Sequence, residues 1–445
     1  MDSKNNSSKE SHLIATFKKE AHDAIISRIN LTSALKLSPQ ELRVKIENFV
    51  FSFAQEKRSQ ITKQEQIDVA REMVNNMIGL GPLEIFLEDD TISDIVVNGV
   101  SQVYVERNGL MELTSVKFRD DAHLLQIAQR IAHRVGRRVD TSNPLCDARL
   151  SDGSRVNIVV PPIALDGTAI SIRKFTKKAM TLPEMVSNGN LTEEMSRVLQ
   201  IASICGLNVI VSGGTGSGKT TLLNAMSQLI DSHERIVTCE DAAELKLQQP
   251  HVVRLESRPP NIEGKGEITI RDLVKNALRM RPDRIIVGEV RGSECIDMLQ
   301  AMNTGQDGSM STIHANGAYE AFVRLENMVA MSKFNIPSDV VKAQIAGAVN
   351  LVIQTDRMHD GSRKITEIIE VTGIDERGDI KYQHLFKFVP LGKTSDLKVF
   401  GRFDVGMDQP MFLERAIAYG LDKELLSVME IAKGHNGDSY NEFGY

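Results

Sequence analysis

Residues 213–220 read Gly213-Gly214-Thr215-Gly216-Ser217-Gly218-Lys219-Thr220, with Thr221 next, and fit the phosphate-loop pattern GxxxxGK[ST] at every fixed position. A triphosphate packs several negative charges into a small volume. Glycines let the backbone curl tightly enough for successive N–H groups to point at its oxygens. A helix opening near Gly218 adds the positive end of its dipole. Lys219 suits the β- and γ-phosphates, and the Thr220 hydroxyl suits Mg²⁺. The segment 213–221 is therefore expected to bind ATP with Mg²⁺.

Binding is not hydrolysis, which needs a carboxylate to orient or deprotonate water. Two candidates close apolar runs: Glu240, with Asp241 beside it, after RIVTC, and Glu289 at the end of RIIVGE. In a parallel sheet, ligands lie at the carboxyl ends of the strands, where both would project. Which of the two is the base stays open. Many P-loop enzymes carry an aspartate just before the catalytic acid, in the magnesium shell; here that place is Gly288. Metal binding would lean on Thr220, the phosphates and water, with Glu240 a further candidate. His314, in GSMSTIHAN beside Thr312, either contacts the γ-phosphate or is a structural histidine.

The elements around these residues fit the task. LNVIVS precedes the glycine run. RIVTC, HVVRL, DRIIVGE and SMSTI are further strand candidates, alternating with helix-length segments at 218–230, 269–281 and 293–303. Such alternation predicts a mostly parallel sheet covered by helices over 186–445. Upstream, 80–185 reads as a compact α+β domain. It has strands in DIVVNG, VYVER, RVNIVVPP and AISIRKF, a hairpin turn at Asn108-Gly109, and a helix from Asp120 carrying Leu124, Ile127, Ile131 and Val135 on one face. Residues 13–79 read as three helices. The second is capped by Ser38 with Glu41, the third by Thr62 with Glu65, and the apolar stripe of the first includes Ile14, Phe17, Ala21, Ile25 and Ile29. Residues 1–12 read as a disordered tail.

Bulk properties narrow the function classes. A chain of 445 residues exceeds one typical core. A net charge of −6 gives no global sign of nucleic-acid binding. The four cysteines, Cys146, Cys205, Cys239 and Cys295, form no CxxC pair, so buried free thiols are expected rather than a zinc site or a disulfide framework. No apolar run is long enough to span a bilayer, and the first residues lack the apolar segment of a signal peptide.

EDAAEL (240–245), RPDRIIVGEVRG (281–292) and GSMSTIHAN (308–316), in order behind the P-loop, resemble the aspartate box, Walker B and histidine box of the type II/type IV secretion and pilus motor ATPases. The wording from QQPHVVRLESRPP to RIIVGEVRG is most similar to the tight-adherence (Tad/Flp) pilus ATPases of CpaF type. LGPLEIFLEDDTISDIVVNG (80–99) and DARLSDGSRVNIVVPP (147–162) resemble that family's upstream domain. The resemblance covers roughly 80–410. It implies a RecA-like P-loop motor domain preceded by a PAS-like α+β domain and an N-terminal helical bundle. It also implies a cytoplasmic homohexamer, peripheral at the inner membrane through pilus platform proteins, with ATP bound between the two domains of a subunit and next to a neighbour. Upstream arginines would reach the γ-phosphate, and the matching positions are Arg149, Arg155 and Arg173, with Arg258, Arg279, Arg281 and Arg291 weaker candidates. Pilin, not nucleic acid, would be the cargo. Three other readings compete: a conjugation-type secretion ATPase moving DNA or effectors, a non-hydrolysing ring scaffold, and a small-molecule kinase. The intact Lys219, Thr220, Glu240 and Glu289 argue against the scaffold, and no acceptor site is apparent for the kinase.

Overall fold

The computed structural model describes residues 13–14, 16–25, 39–107, 109–175, 180–258, 260, 265–331, 336–394, 397–406 and 409–438. The tail, Ile29, Ser38 and Asn108 lie outside these. The chain divides into two compact units, Met1–Thr176 and Lys177–Tyr445.

In the first unit, residues 16–25 and the helices Pro39–Glu56 and Lys63–Met77 enclose a small core. Phe17, Ala21 and Ile25 meet Leu42, Ile46, Phe53, Val69 and Met73 there. The third helix starts where Thr62 and Glu65 form a reciprocal capping box. Its last turn is closed from outside: the Arg130 guanidinium donates to the carbonyls of Asn76 (2.9 Å) and Gly79 (2.7 Å), and Arg134 donates to that of Ile78. These carbonyls have no partner inside the helix, so two cations at its negative end stabilise it.

Both arginines belong to the helix Asp121–Arg134, whose first turn is capped by the Asp120 carboxylate accepting from His123 N at 2.7 Å. Its buried Leu124, Ile127 and Ile131 cover a six-stranded antiparallel sheet. The strands are β1 (Ile92–Asn98), β2 (Gln102–Arg107), β3 (Leu110–Leu113), β4 (Leu145–Arg149), β5 (Arg155–Val159) and β6 (Ala169–Arg173), in the order β3-β2-β1-β6-β5-β4. The row Ala148–Val156–Ile172–Ile95 faces the core. By pleat alternation, the next row faces away from it.

The second unit is built on a nine-stranded sheet ordered β15-β14-β13-β12-β7-β11-β10-β8-β9. β7 (Val209–Gly213), β8 (Ile236–Glu240), β9 (Val252–Glu256), β10 (Arg284–Val290), β11 (Met310–Ile313) and β12 (Leu351–Arg357) run parallel. The five apolar runs read as strands in the sequence are β7 to β11. β13 (Arg363–Ile374), β14 (Ile380–Lys393) and β15 (Val399–Val405) add an antiparallel wing. Side-chain alternation splits the interior into two cores. Val209 and Val211 join one, against the helices Glu193–Ile204, Lys219–Ser227 and Asp422–Asp438. Ile210 joins the other, against Ile270–Ala277, Glu294–Asn303, Ala318–Ala330 and Ser338–Ala348. A sheet buried on both faces needs strands apolar at nearly every position, which is how β7, β8 and β10 read.

Candidate nucleotide-binding site

β7 ends at Gly213, and the helix Lys219–Ser227 starts six residues beyond it. Only glycine fits at 213: a Cβ there would stand 2.3 Å from Thr355 O and 2.5 Å from Ser217 Oγ. Gly216 (φ +71°) and Gly218 (φ +102°) take left-handed backbone angles, which turns the chain into the helix. The buried Ser217 hydroxyl lies 2.9 Å from Thr355 Oγ1, which in turn donates to Ser212 O at 3.2 Å. Lys219 Nζ donates to the carbonyls of Gly213 and Gly214, each at 2.8 Å, so its charge sits within the loop. Thr220 and Thr221 occupy the first helical turn, and Thr215 is exposed on the loop.

Both candidate carboxylates lie at carboxyl ends of strands in the same sheet, Glu240 closing β8 and Glu289 near the end of β10. Their surroundings differ. Glu240 is 2% exposed; its Oε2 accepts from Glu244 N (2.7 Å) and Leu245 N (2.9 Å), and its buried Oε1 has no hydrogen-bond partner. Burial pushes this carboxyl above the usual carboxylate range, with the Leu245 and Glu244 amides pulling the other way. Glu289 Oε2 instead accepts from Arg291 Nε (3.0 Å) and a terminal nitrogen (2.6 Å), and Arg291 also reaches Asp241 at 3.4 Å.

The glycine at 288 now has a reason. A Cβ there would lie 2.9 Å from Glu240 Cγ and 3.5 Å from its Oε2. The side chain of Glu240, from the neighbouring strand β8, fills the space a side chain at 288 would occupy. Among the described residues, no three His, Cys, Asp or Glu side chains are grouped to hold a metal by themselves. The Thr220 hydroxyl and the unsatisfied Glu240 oxygen fit a magnesium ion whose other ligands are phosphate and water.

His314 follows β11 and is exposed, lining a cleft of about 330 Å³ with Asn316, Glu320 and Arg324. Thr312 Oγ1 donates to Gly288 O at 2.7 Å, joining the histidine strand to β10. In sheet order, β7, β11, β10 and β8 are neighbours and bring the P-loop, His314, Glu289 and Glu240 to one edge. All four cysteines are buried and free. Burial pushes the Cys239 and Cys295 thiols up to about 12.

The structure places Arg149, Arg155 and Arg173 in the other unit, in a single cross-strand row: Arg149 opposite Arg155, Arg155 opposite Arg173, and Arg173 opposite Asp94. This row lies on the sheet face away from the core. Arg173 Nε pairs with Asp94 at 3.2 Å, and the Arg149 guanidinium lies 5.9 Å from the centre of the Phe175 ring. Like charges directly opposite one another are unfavourable in a sheet.

Sequence reading missed the contribution of the β12–β13 hairpin. Thr355 holds Ser217, and Arg363 Nε donates to Gly216 O at 2.8 Å. The available signal was QTDRMHDGSRKI, two arginines flanking an Asp-Gly turn. It reads only as a hairpin until the sheet order sets it beside β7.

Residues 76–375 match the family model described as type II/IV secretion system protein. Over 304 residues the chain is 37% identical to a putative conjugal transfer protein of Mycobacterium tuberculosis, covering 67% of this chain and 86% of that one. It is 29% identical over 328 residues to the type IV secretion system protein VirB11 of Bartonella quintana, covering 65% and 91% respectively. Among solved structures, the VirB11 ATPase of the Brucella suis type IV secretion system is 29% identical over 64% of this chain and 94% of that chain, with a TM-score of 0.35. The P-loop, both strand-end carboxylates, His314 and the arginine row all fall inside the matched span, and the chain belongs to the type II/IV secretion system protein family.

Proposed function

We propose that this chain is a Mg-dependent ATPase that works as a hexameric motor and powers assembly of a Tad/Flp-type pilus at the inner membrane. One observation carries the enzymatic part: four adjacent parallel strands end in a glycine loop with its lysine, a histidine and two carboxylates. The loop amides and Lys219 bind the phosphate chain. Glu289 accepts a proton from the attacking water as the bond between the γ-phosphorus and its bridging oxygen breaks. Arg291 orients Glu289. Glu240, anchored by two amides, is suited to hold water or metal in place. Magnesium bound between Thr220 and the phosphates would neutralise charge on the transferring group. Negative charge spreads over the γ-phosphoryl oxygens as the bond breaks, and Arg149, Arg155 and Arg173 are assigned to stabilise it.

Phosphate release from Mg-ATP by the full-length chain tests this. Lys219→Ala is expected to lose nucleotide affinity. Glu289→Gln is expected to bind ATP while turning over at least about a hundredfold more slowly. Unchanged turnover in both variants sinks the proposal. Full activity is also expected to need the ring, so a monomeric 186–445 segment working at the full-length rate would refute that part.

Two readings of the cargo remain. The wording of residues 248–292 supports the pilus. A relative 37% identical and described as a conjugal transfer protein supports a conjugation-type secretion motor instead. A deletion strain decides: loss of surface fibres supports the first reading, and loss of DNA transfer with fibres intact supports the second.

A further inference from the structure

The β12–β13 hairpin carries two arginines that no step above uses fully. Arg357 ends β12, Arg363 opens β13, and they are directly opposite in the antiparallel register. Pleat alternation puts Arg357 on the same face as Thr355, the residue that holds Ser217. Three residues of one hairpin face thus meet three consecutive residues of the loop. Arg363 donates to Gly216 O at 2.8 Å, and its Cδ lies 3.5 Å from where a Cβ on Gly218 would stand. Thr355 takes Ser217. A terminal nitrogen of Arg357 lies 3.6 Å from where a Cβ on Gly216 would stand.

The hairpin tip is fixed independently. Asp360 accepts from Ser362 Oγ (2.6 Å), Ser362 N (2.9 Å) and Val399 N (2.7 Å), which ties the tip to β15. The Arg363 carbonyl accepts from Asn190 Nδ2 at 2.6 Å. The two guanidinium groups are therefore presented on a rigid support. Facing like charges across a strand pair is unfavourable. An oxyanion at the loop reverses the sign of that term, and guanidinium geometry matches phosphate oxygens.

We infer that Arg357 and Arg363 form a cationic wall on the phosphate side of the nucleotide site, Arg363 by shaping the loop through Gly216 and Arg357 by facing phosphate oxygens. The inference rests on the nucleotide reading of the P-loop. Arg363 is a positioning residue, while Arg357 contacts the ligand directly.

The test is calorimetric binding of Mg-ADP, and of inorganic pyrophosphate as a probe without base or sugar, to the full-length chain. Arg357→Ala and Arg363→Ala are each expected to weaken both ligands about tenfold, the size of one charge-assisted hydrogen bond. Arg357→Lys is expected to recover part of the loss, and the affinity of Arg357→Ala should depend less steeply on salt than that of the parent chain. Melting of the nucleotide-free variants should match the parent, which separates these effects from misfolding; a variant that melts early is replaced by its lysine counterpart in the comparison. Unchanged affinity in both alanine variants overturns the inference, as does a loss for Mg-ADP that pyrophosphate does not share. Lys219→Ala run in parallel separates the two levels. If it loses binding while the hairpin variants keep it, only the wall is wrong; if it also binds normally, the nucleotide reading fails and the wall with it.

Discussion

Replacing Gly288 by alanine asks whether Glu240 truly occupies the place of the missing β10 acid. The added Cβ would sit 2.9 Å from Glu240 Cγ and 3.5 Å from both its Cβ and its Oε2. The first of these separations is closer than side-chain carbons tolerate, so Glu240 has to move. It has little room: it is 2% exposed, and its Oε2 is held by two amides at 2.7 and 2.9 Å. Overpacking of this kind costs about 1–3 kcal/mol. Leaving a buried amide without its acceptor costs about 1–3 kcal/mol more where the clash breaks that bond. A loss of about 2 kcal/mol is expected, which lowers the melting temperature of a unit this size by roughly 4–8 °C. Differential scanning calorimetry of the full chain reads it. Glu240→Ala removes the obstructing atoms, so the double variant should lose at least about 1 kcal/mol less than the sum of the single losses. Gly214→Ala is the steric control, since nothing lies within 4 Å of a Cβ at that position. Additive losses, or a Gly288→Ala variant melting like the parent, refute the claim that one residue is small so that the other fits.

Other substitutions have equally specific expected outcomes. Gly213→Ala forces a Cβ to within 2.3 Å of Thr355 O, a backbone atom that cannot swing aside, so the strand-loop junction should shift and Mg-ADP affinity should fall more than for Gly214→Ala in the same binding assay. Glu370 is 2% exposed and accepts from Met411 N (2.8 Å), Phe412 N (2.7 Å) and Gln383 Nε2 (2.7 Å). Glu370→Ala should cost about 3 kcal/mol and raise hydrogen exchange selectively in 411–432. Burial opposes ionisation of Asp360, but Ser362 Oγ and the amides of Val399 and Ser362 outweigh it, holding the carboxyl at about 2 against an ordinary 3.8. A depressed pKa gives stability that is present above the unfolded value and lost as pH falls through the folded one. The melting advantage of the parent over Asp360→Asn should therefore be full at pH 6 and shrink between about pH 4 and pH 2.

How much of this was legible varies by element. The strand runs β7, β8 and β10 were readable because burial on both faces leaves apolar residues at most positions. The cap at Thr62 and the turn at Gly109 were readable because their chemistry is local. The wing β13–β15 was not read. Its strands mix polar and apolar positions, and their placement depends on pairing with β12, more than 130 residues after β7. β4 was missed for a similar reason: LCDAR is half polar, and only pairing with β5 makes it a strand. At the site, Gly288 stood out in the sequence as a departure without an explanation.

The sequence by itself determined the loop, its lysine and the strand-end acids, because phosphate binding needs particular residue types at fixed spacing within one turn of chain. Tertiary structure alone decided that Glu240 fills the void at Gly288, that Arg149, Arg155 and Arg173 form one row, and that Arg357 and Arg363 stand against Gly216 and Gly218. Those relations join residues from 6 to 147 positions apart. Strand order and register bring them together, and no local propensity encodes either.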